Sequence, residues 1–274
     1  MASPRPQSRF VANGGVRLHS ITAGKGSAVV LLHGIPDFCS GWRYQIGPLS
    51  ERHCVAAMDL RGVNRSDQPN GVAAYRMVEL VSDVVAIVNT LGGRAALVGH
   101  DWGAILAWWT ATLRPQMVSS LAVLSAPHPL AYLAARSRGV LRYPRQYLDQ
   151  IVETAPGAPF DPVSLSAWVP EQSARLELEQ ALARSDPEAI RNLYRANLAN
   201  DALPRHQVPK LQVPTLIMYG ADDDFIPPAY YDDSMKHVAG RARLVAIPNS
   251  GHFIHQQAAE RVSAELCDSL ADSE

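Results

Sequence analysis

The chain has 274 residues, 47% hydrophobic and 19% charged, with a formal net charge of −1. That length suits one large α/β domain, or a core carrying an inserted subdomain, better than two independent domains. Scattered arginines in a near-neutral chain offer no basic face for nucleic acid, MASPRPQSRF lacks the apolar run of a secretion signal, and no stretch reaches the ~18 apolar residues of a membrane span, so a cytoplasmic protein is expected.

Short β-branched runs alternate with longer helical patterns, which is how parallel strands joined by crossover helices read. In chain order the strands are expected at Val16 to Thr22, Ala28 to His33, Cys54 to Asp59, Ala95 to Gly99 and Ser120 to Leu124, then, after a gap, at Thr215 to Tyr219 and Leu244 to Ile247. Helices are expected near Gly41 to Leu49, Tyr75 to Leu91, Gly103 to Leu113, Tyr230 to Val238 and His255 to Leu270. The stretch from Pro127 to Pro209 has no β run, is rich in Ala, Arg, Leu and Pro, and holds helical patterns at Gln172 to Ala183 and Pro187 to Asn197. It reads as an all-helical insert, giving a core of 1–127 and 209–274 and a cap of 128–208. The termini are expected to be loose. Cys39, Cys54 and Cys267 are far apart and lack metal-type spacing, so plain thiols are expected.

VGHDWGA, residues 98–104, falls where a strand ends and a helix begins. Glycines at 99 and 103 permit the tight reversal that exposes the residue between them, here Asp101. An aspartate at a strand-helix junction also suits a helix N-cap, and the five-residue pattern alone does not separate the two roles.

A nucleophile needs a base and an acid to orient it. Pro248-Asn249-Ser250-Gly251-His252-Phe253 places a histidine just after the last expected strand, and Asp222-Asp223-Asp224 follows the preceding one. All three pieces sit at carboxyl ends of strands, where open parallel sheets place their sites, in the order nucleophile, acid, histidine. Of the nine histidines only His252 has both the place and the order. His19 and His53 read as surface or strand-edge, His206, His237 and His255 as solvated, His33 and His100 as shaping the loops beside the elbow, and His128 stays undetermined. His33-Gly34-Ile35-Pro36 ends an apolar strand, so the backbone amides of Ile35 and Trp102 are candidates for an oxyanion hole.

A carboxylate attacking saturated carbon forms an alkyl ester with the enzyme, which water must then cleave. Aspartate needs no deprotonation, which leaves His252 for the second step. The leaving group is either a halide, which wants N–H donors, or an epoxide oxygen, which needs a proton donor such as a tyrosine of the insert: Tyr132, Tyr143, Tyr147 or Tyr194.

Taken together HGIPDF, DLRGVNRSD, GHDWG, SAPHP, GADDDFIP and SGHF make the chain resemble, over nearly its whole length, the epoxide hydrolases of α/β-hydrolase fold, in the group that also holds haloalkane and fluoroacetate dehalogenases. The resemblance implies an α/β-hydrolase fold, epoxide opening by Asp101, and ester hydrolysis by His252 with an acid. Its Gly-x-x-Asp register points to Asp223, where extended alternation alone separates Asp223 from Asp222 and Asp224 without choosing. It also implies two cap tyrosines that protonate the epoxide oxygen: Asn192-Leu193-Tyr194-Arg195 matches the second, and Tyr147, with Tyr143 in reserve, the first. His33, Trp102, Tyr143 and Phe253 are candidates for the pocket wall around a small apolar epoxide. No cofactor or metal is implied, and oligomeric state is open, a homodimer included. Asn64 and Arg65 depart from the pattern, standing in a loop where glycine is usual.

Two other readings compete. A dehalogenase would use the same elbow, yet the halide-binding asparagine is replaced by Ile35 and no acid follows Leu124-Ser125-Ala126. A non-catalytic ligand receptor would use the same pocket without turnover.

Overall fold

The computed structural model describes residues 6–140, 150–155, 157–198 and 208–271. Its strands are β1 Gln7–Asn13, β2 Val16–Ala23, β3 Ser27–Leu32, β4 His53–Met58, β5 Ala95–His100, β6 Val118–Leu124, β7 Thr215–Gly220 and β8 Ala242–Ile247. They form one sheet in the order β1-β2-β4-β3-β5-β6-β7-β8. β2 pairs antiparallel with β1 and β4, and every pairing from β4 to β8 is parallel. The central strands read as unbroken apolar runs because both faces are covered: Val29, Val30, Leu31 and Leu32 are all buried, as are Ala95 through His100.

The helices are α1 Arg43–Ser50, α2 Met77–Thr90 and α3 Trp102–Leu113, then α4 Pro129–Ser137, α5 Pro162–Ser166, α6 Gln172–Arg184 and α7 Pro187–Leu198 between β6 and β7, and finally α8 Ile254–Gln257 and α9 Ala259–Ala271. In α2 the buried residues Leu80, Val81, Val84, Ile87 and Val88 recur at helical spacing and form one apolar stripe. No helix among the described residues is long and apolar enough to cross a membrane.

Three local expectations are corrected. Gln7–Asn13, in the stretch expected as a loose terminus, is a strand. Asn13-Gly14-Gly15 turns it into β2 with both glycines at positive φ, 54° and 87°, the backbone a two-residue hairpin requires. β1 escapes an apolar reading because most of its residues are exposed. The expected helix from Tyr230 to Val238 is two 3-10 turns, Pro228–Tyr230 and Ser234–His237. The backbone amides there reach back three residues, Tyr231 to Pro228, Ser234 to Tyr231 and Val238 to Met235, and Ser234 Oγ accepts the His128 amide at 3.1 Å, so the segment is held as short turns against the loop after β6. The last expected helix is broken at Ala258, with φ −128° and ψ 48°.

The DLRGVNRSD segment is scaffolding. Asp59 accepts hydrogen bonds from His19 Nδ1 at 2.6 Å, the Cys39 amide at 2.9 Å and Asn64 Nδ2 at 2.8 Å. Burial alone would raise the Asp59 carboxyl; the bond from His19, the nearby His33 and the Cys39 amide hold it below its usual value. His19 and Cys39, far apart in sequence, thus meet in the core; His19 and His53, read as surface or strand-edge, are buried within β2 and at the start of β4, and His255 is buried where a solvated position was expected. Arg61 forms a buried fork with Asp83 at 2.8 and 2.7 Å. Asn64 takes φ 51°, the left-handed conformation that glycine adopts freely and asparagine tolerates. Its Oδ1 also accepts from Arg184 Nε at 2.8 Å and its amide donates to Ser185 Oγ at 2.8 Å, fastening the loop to α6 and the residue that ends it.

A Cβ on Gly103 would overlap the Leu32 carbonyl, whereas one on Gly47 would meet nothing within 4 Å. Gly103→Ala is therefore expected to cost about 2–3 kcal/mol and Gly47→Ala nothing, measured as parallel denaturant unfolding curves.

Candidate active site

β5 ends at His100 and α3 begins at Trp102, so Asp101 makes the whole reversal, at φ 50° and ψ −117°. That conformation costs a non-glycine residue about 1–3 kcal/mol and persists only where its surroundings demand it. A Cβ at residue 99 would strike the Gly103 carbonyl, and one at 34 would strike Asp101 itself, so the glycines on both sides are steric necessities. The Asp101 amide donates to the Leu124 carbonyl at 3.1 Å. Its side chain makes no capping bond to α3, which removes the N-cap alternative. Instead Oδ1 accepts the Ile35 amide at 3.0 Å, and Oδ2 lies 3.5 Å from His252 Nε2. The start of α3 adds the favourable field of its dipole to the carboxylate.

His252, on the loop after β8, bonds through Nδ1 to Asp223 Oδ2 at 2.8 Å. Asp223, after β7, is buried while Asp222 and Asp224 are exposed, so the alternation of an extended turn resolves in favour of Asp223. Its Oδ1 accepts the amides of Phe225 and Ile226 at 2.8 and 2.9 Å. Burial by itself would depress the His252 imidazole, but its bonds to Asp101 and Asp223 outweigh that and lift it to about 9. Both acidic neighbours thus favour the protonated form of the buried ring.

The His252 carbonyl accepts two further bonds, from Ser125 Oγ at 2.6 Å and His100 Nε2 at 2.9 Å. Ser125 had no role in the sequence reading beyond not being acidic. Its signal is conformational, a φ of 54° in a serine, which no local pattern announces. His33 is buried beneath the Ile35 loop: Nε2 accepts the Leu60 amide at 2.9 Å, so Nδ1 carries the proton and donates to the Gly34 carbonyl at 2.7 Å. His128, left undetermined by the sequence, caps α4 by accepting the Leu130 amide at 3.2 Å, and burial pushes its pKa down to about 3.

Residues from between β6 and β7 reach the same place. Tyr194 of α7 is buried with its ring edge-on to Trp102 at 4.9 Å. Trp168 stacks on Phe253 at 3.6 Å, and Phe253 meets the His252 ring edge-on at 5.3 Å. Asp101, His252, Asp223, Ile35, Trp102, Tyr194 and Phe253 therefore converge, while Tyr143 and Tyr147 lie outside the described residues. The array can present a carboxyl group, a histidine with a buried partner, and apolar walls.

Residues 27–259 match the family model described as alpha/beta hydrolase fold. Epoxide hydrolase 3 of Xenopus tropicalis is 30% identical across 94% of this chain and 76% of its own length. Epoxide hydrolase A of Mycobacterium tuberculosis is 29% identical, covering 98% of each chain. Among solved structures, one of the epoxide hydrolases from metagenomes of hot environments has a TM-score of 0.87 at 28% identity, covering 96% of this chain and 98% of the other. With the sheet order, the elbow and these likenesses in agreement, the chain belongs to the α/β-hydrolase family, among its epoxide hydrolases.

Proposed function

We propose that this protein opens an epoxide to a vicinal diol through an alkyl ester on Asp101. One observation carries the reading: the elbow holds a carboxylate, with Oδ1 on a backbone amide and Oδ2 facing a histidine backed by a buried acid. A serine there would need the histidine to take its proton; Asp101 does not, which assigns His252 to the later step.

In the first half-reaction Asp101 Oδ2 attacks an epoxide carbon and the ring C–O bond breaks. The oxygen leaves as an alkoxide and takes a proton from the hydroxyl of Tyr194, whose ring packs on the residue following Asp101. Tyr147, or Tyr143, is the second donor in this reading, and α4 to α7 form the cap over the epoxide. Esterification removes the negative charge of Asp101 and with it part of what lifted His252, so the imidazole gives up its proton to solvent, from which the Tyr194 phenolate recovers the one it delivered. Neutral His252 then takes a proton from water, whose oxygen attacks the ester carbonyl carbon. The oxyanion forms on Oδ1, against the amides of Ile35 and Trp102. Collapse expels the diol oxygen with a proton from His252 and leaves Asp101 as a carboxylic acid, whose proton then passes to the His252 ring to restore the starting pair.

Three outcomes are expected. His252→Gln should retain ring opening and block hydrolysis, lowering kcat by roughly 10⁴-fold and leaving Asp101 heavier by the mass of styrene oxide or cyclohexene oxide in mass spectrometry. Single turnover of the wild type in heavy-oxygen water should label the Asp101 carboxylate; no adduct and no label, with halide released from an alkyl bromide instead, would sink the reading. Tyr194→Phe should slow formation of that ester about 100-fold in rapid-quench experiments while leaving its breakdown unchanged.

A fourth concerns pH. Because His252 is raised from 6.5 to about 9 in the folded protein, its contribution to stability is complete below pH 6.5 and is lost as pH rises through 9. The unfolding free energy of the wild type relative to His252→Gln should accordingly fall by about 3 kcal/mol across that window in denaturant titrations.

A further inference from the structure

Both ring nitrogens of His252 are committed to chemistry, one to Asp223 and the other to the face of Asp101. What fixes the residue itself is its main chain. The carbonyl of His252 accepts from Ser125 Oγ at 2.6 Å and from His100 Nε2 at 2.9 Å, and both donors are completely buried. A carbonyl cannot donate, so His100 carries its proton on Nε2. The His100 ring in turn rests 4.4 Å from the His255 ring, which is tied to Asp37 Oδ2 at 3.2 Å.

Ser125 holds φ 54°, where a glycine would be at ease and a serine is strained. Its amide donates to the Met218 carbonyl of β7 at 2.9 Å, and the preceding carbonyl, that of Leu124, accepts the Asp101 amide. Two adjacent residues at the end of β6 therefore hold Asp101 on one side and His252 on the other. The hydroxyl reaches the histidine loop from a backbone conformation that serine adopts at a cost.

We propose that Ser125 and His100 are positioning residues: by clamping the His252 carbonyl they hold its ring at the distance from Asp101 at which it activates water against the ester. The inference rests on the two-step reading above. The clamp acts on the main chain, so it keeps its grip while the ring gains and loses its proton. It serves only the hydrolytic half-reaction, because ring opening does not use His252 as a base.

The test is Ser125→Gly, which deletes the hydroxyl and suits the left-handed backbone, so folding is preserved or improved. With styrene oxide, ester formation should proceed at the wild-type rate and ester breakdown should slow about tenfold. The ester then accumulates, and kcat and KM fall together while kcat/KM holds. The double variant with His100→Ala should slow breakdown about 100-fold. Equal loss in both half-reactions, or breakdown at the wild-type rate, would overturn the clamp. A measurement without substrate separates this from the epoxide reading: the low-field proton NMR signal of His252 Nδ1–H, shared with Asp223, should shift and broaden in Ser125→Gly. If wild type forms no ester from any epoxide, the two-step reading falls; if that signal is unchanged by the substitution, the clamp falls whatever the substrate.

Discussion

Everything at the candidate site depends on one residue bearing a backbone conformation it would not choose. Asp101 turns the chain from β5 into α3 alone, at φ 50°. The strain is held by close packing: Gly99 and Gly103 leave no room for a Cβ, the Leu124 carbonyl takes the Asp101 amide, and Gly34 lies directly against the carboxylate. The geometry that strains the residue also keeps its side chain off the helix it begins. An aspartate in a relaxed junction would cap α3 and be neutralised by its amides. Here the oxygens face Ile35 and His252.

Burying three ionisable groups together is costly unless each finds partners. Asp223 has the His252 ring and two amides, His252 has a carboxylate at each nitrogen, and Asp101 has one amide and partial exposure, with 21% of its side chain accessible. The least enclosed member is the one proposed to meet substrate. The others are locked by contacts from different parts of the chain, and the end of β6 joins them by holding both the elbow and the histidine loop.

Scaffolding and chemistry look alike in one dimension. GHDWG and DLRGVNRSD are both rich in charged residues and glycine, yet the second is spent on the core: Asp59 collects donors, Arg61 forks onto Asp83, and Asn64 links the loop to α6. Asn64 stands where the resemblance expects glycine, and its left-handed backbone shows that the conformation is kept while the side chain gains a use.

The order of elements, the elbow, the acid and the histidine were legible because each depends on spacing along a single segment: apolar runs for buried parallel strands, helical periods in α2, α6 and α7, and glycines flanking a reversal. β1 was missed because a mostly exposed edge strand carries little apolar signal, although Asn13-Gly14-Gly15 marked its turn. The region from Tyr230 to Val238 misled because local propensity cannot tell that a distant loop, through the His128 amide on Ser234 Oγ, holds it as short turns. The sequence by itself determined the family, the fold class and the carboxylate at the elbow. The register of the resemblance already pointed to Asp223, which spacing alone left open among three aspartates; only the tertiary structure decided that Asp223 is buried against His252, that His19 and His255 are interior, and that Ser125 reaches the His252 carbonyl. Those are contacts between residues far apart in the chain, and their distances are set by how strands and loops pack, which no local period records.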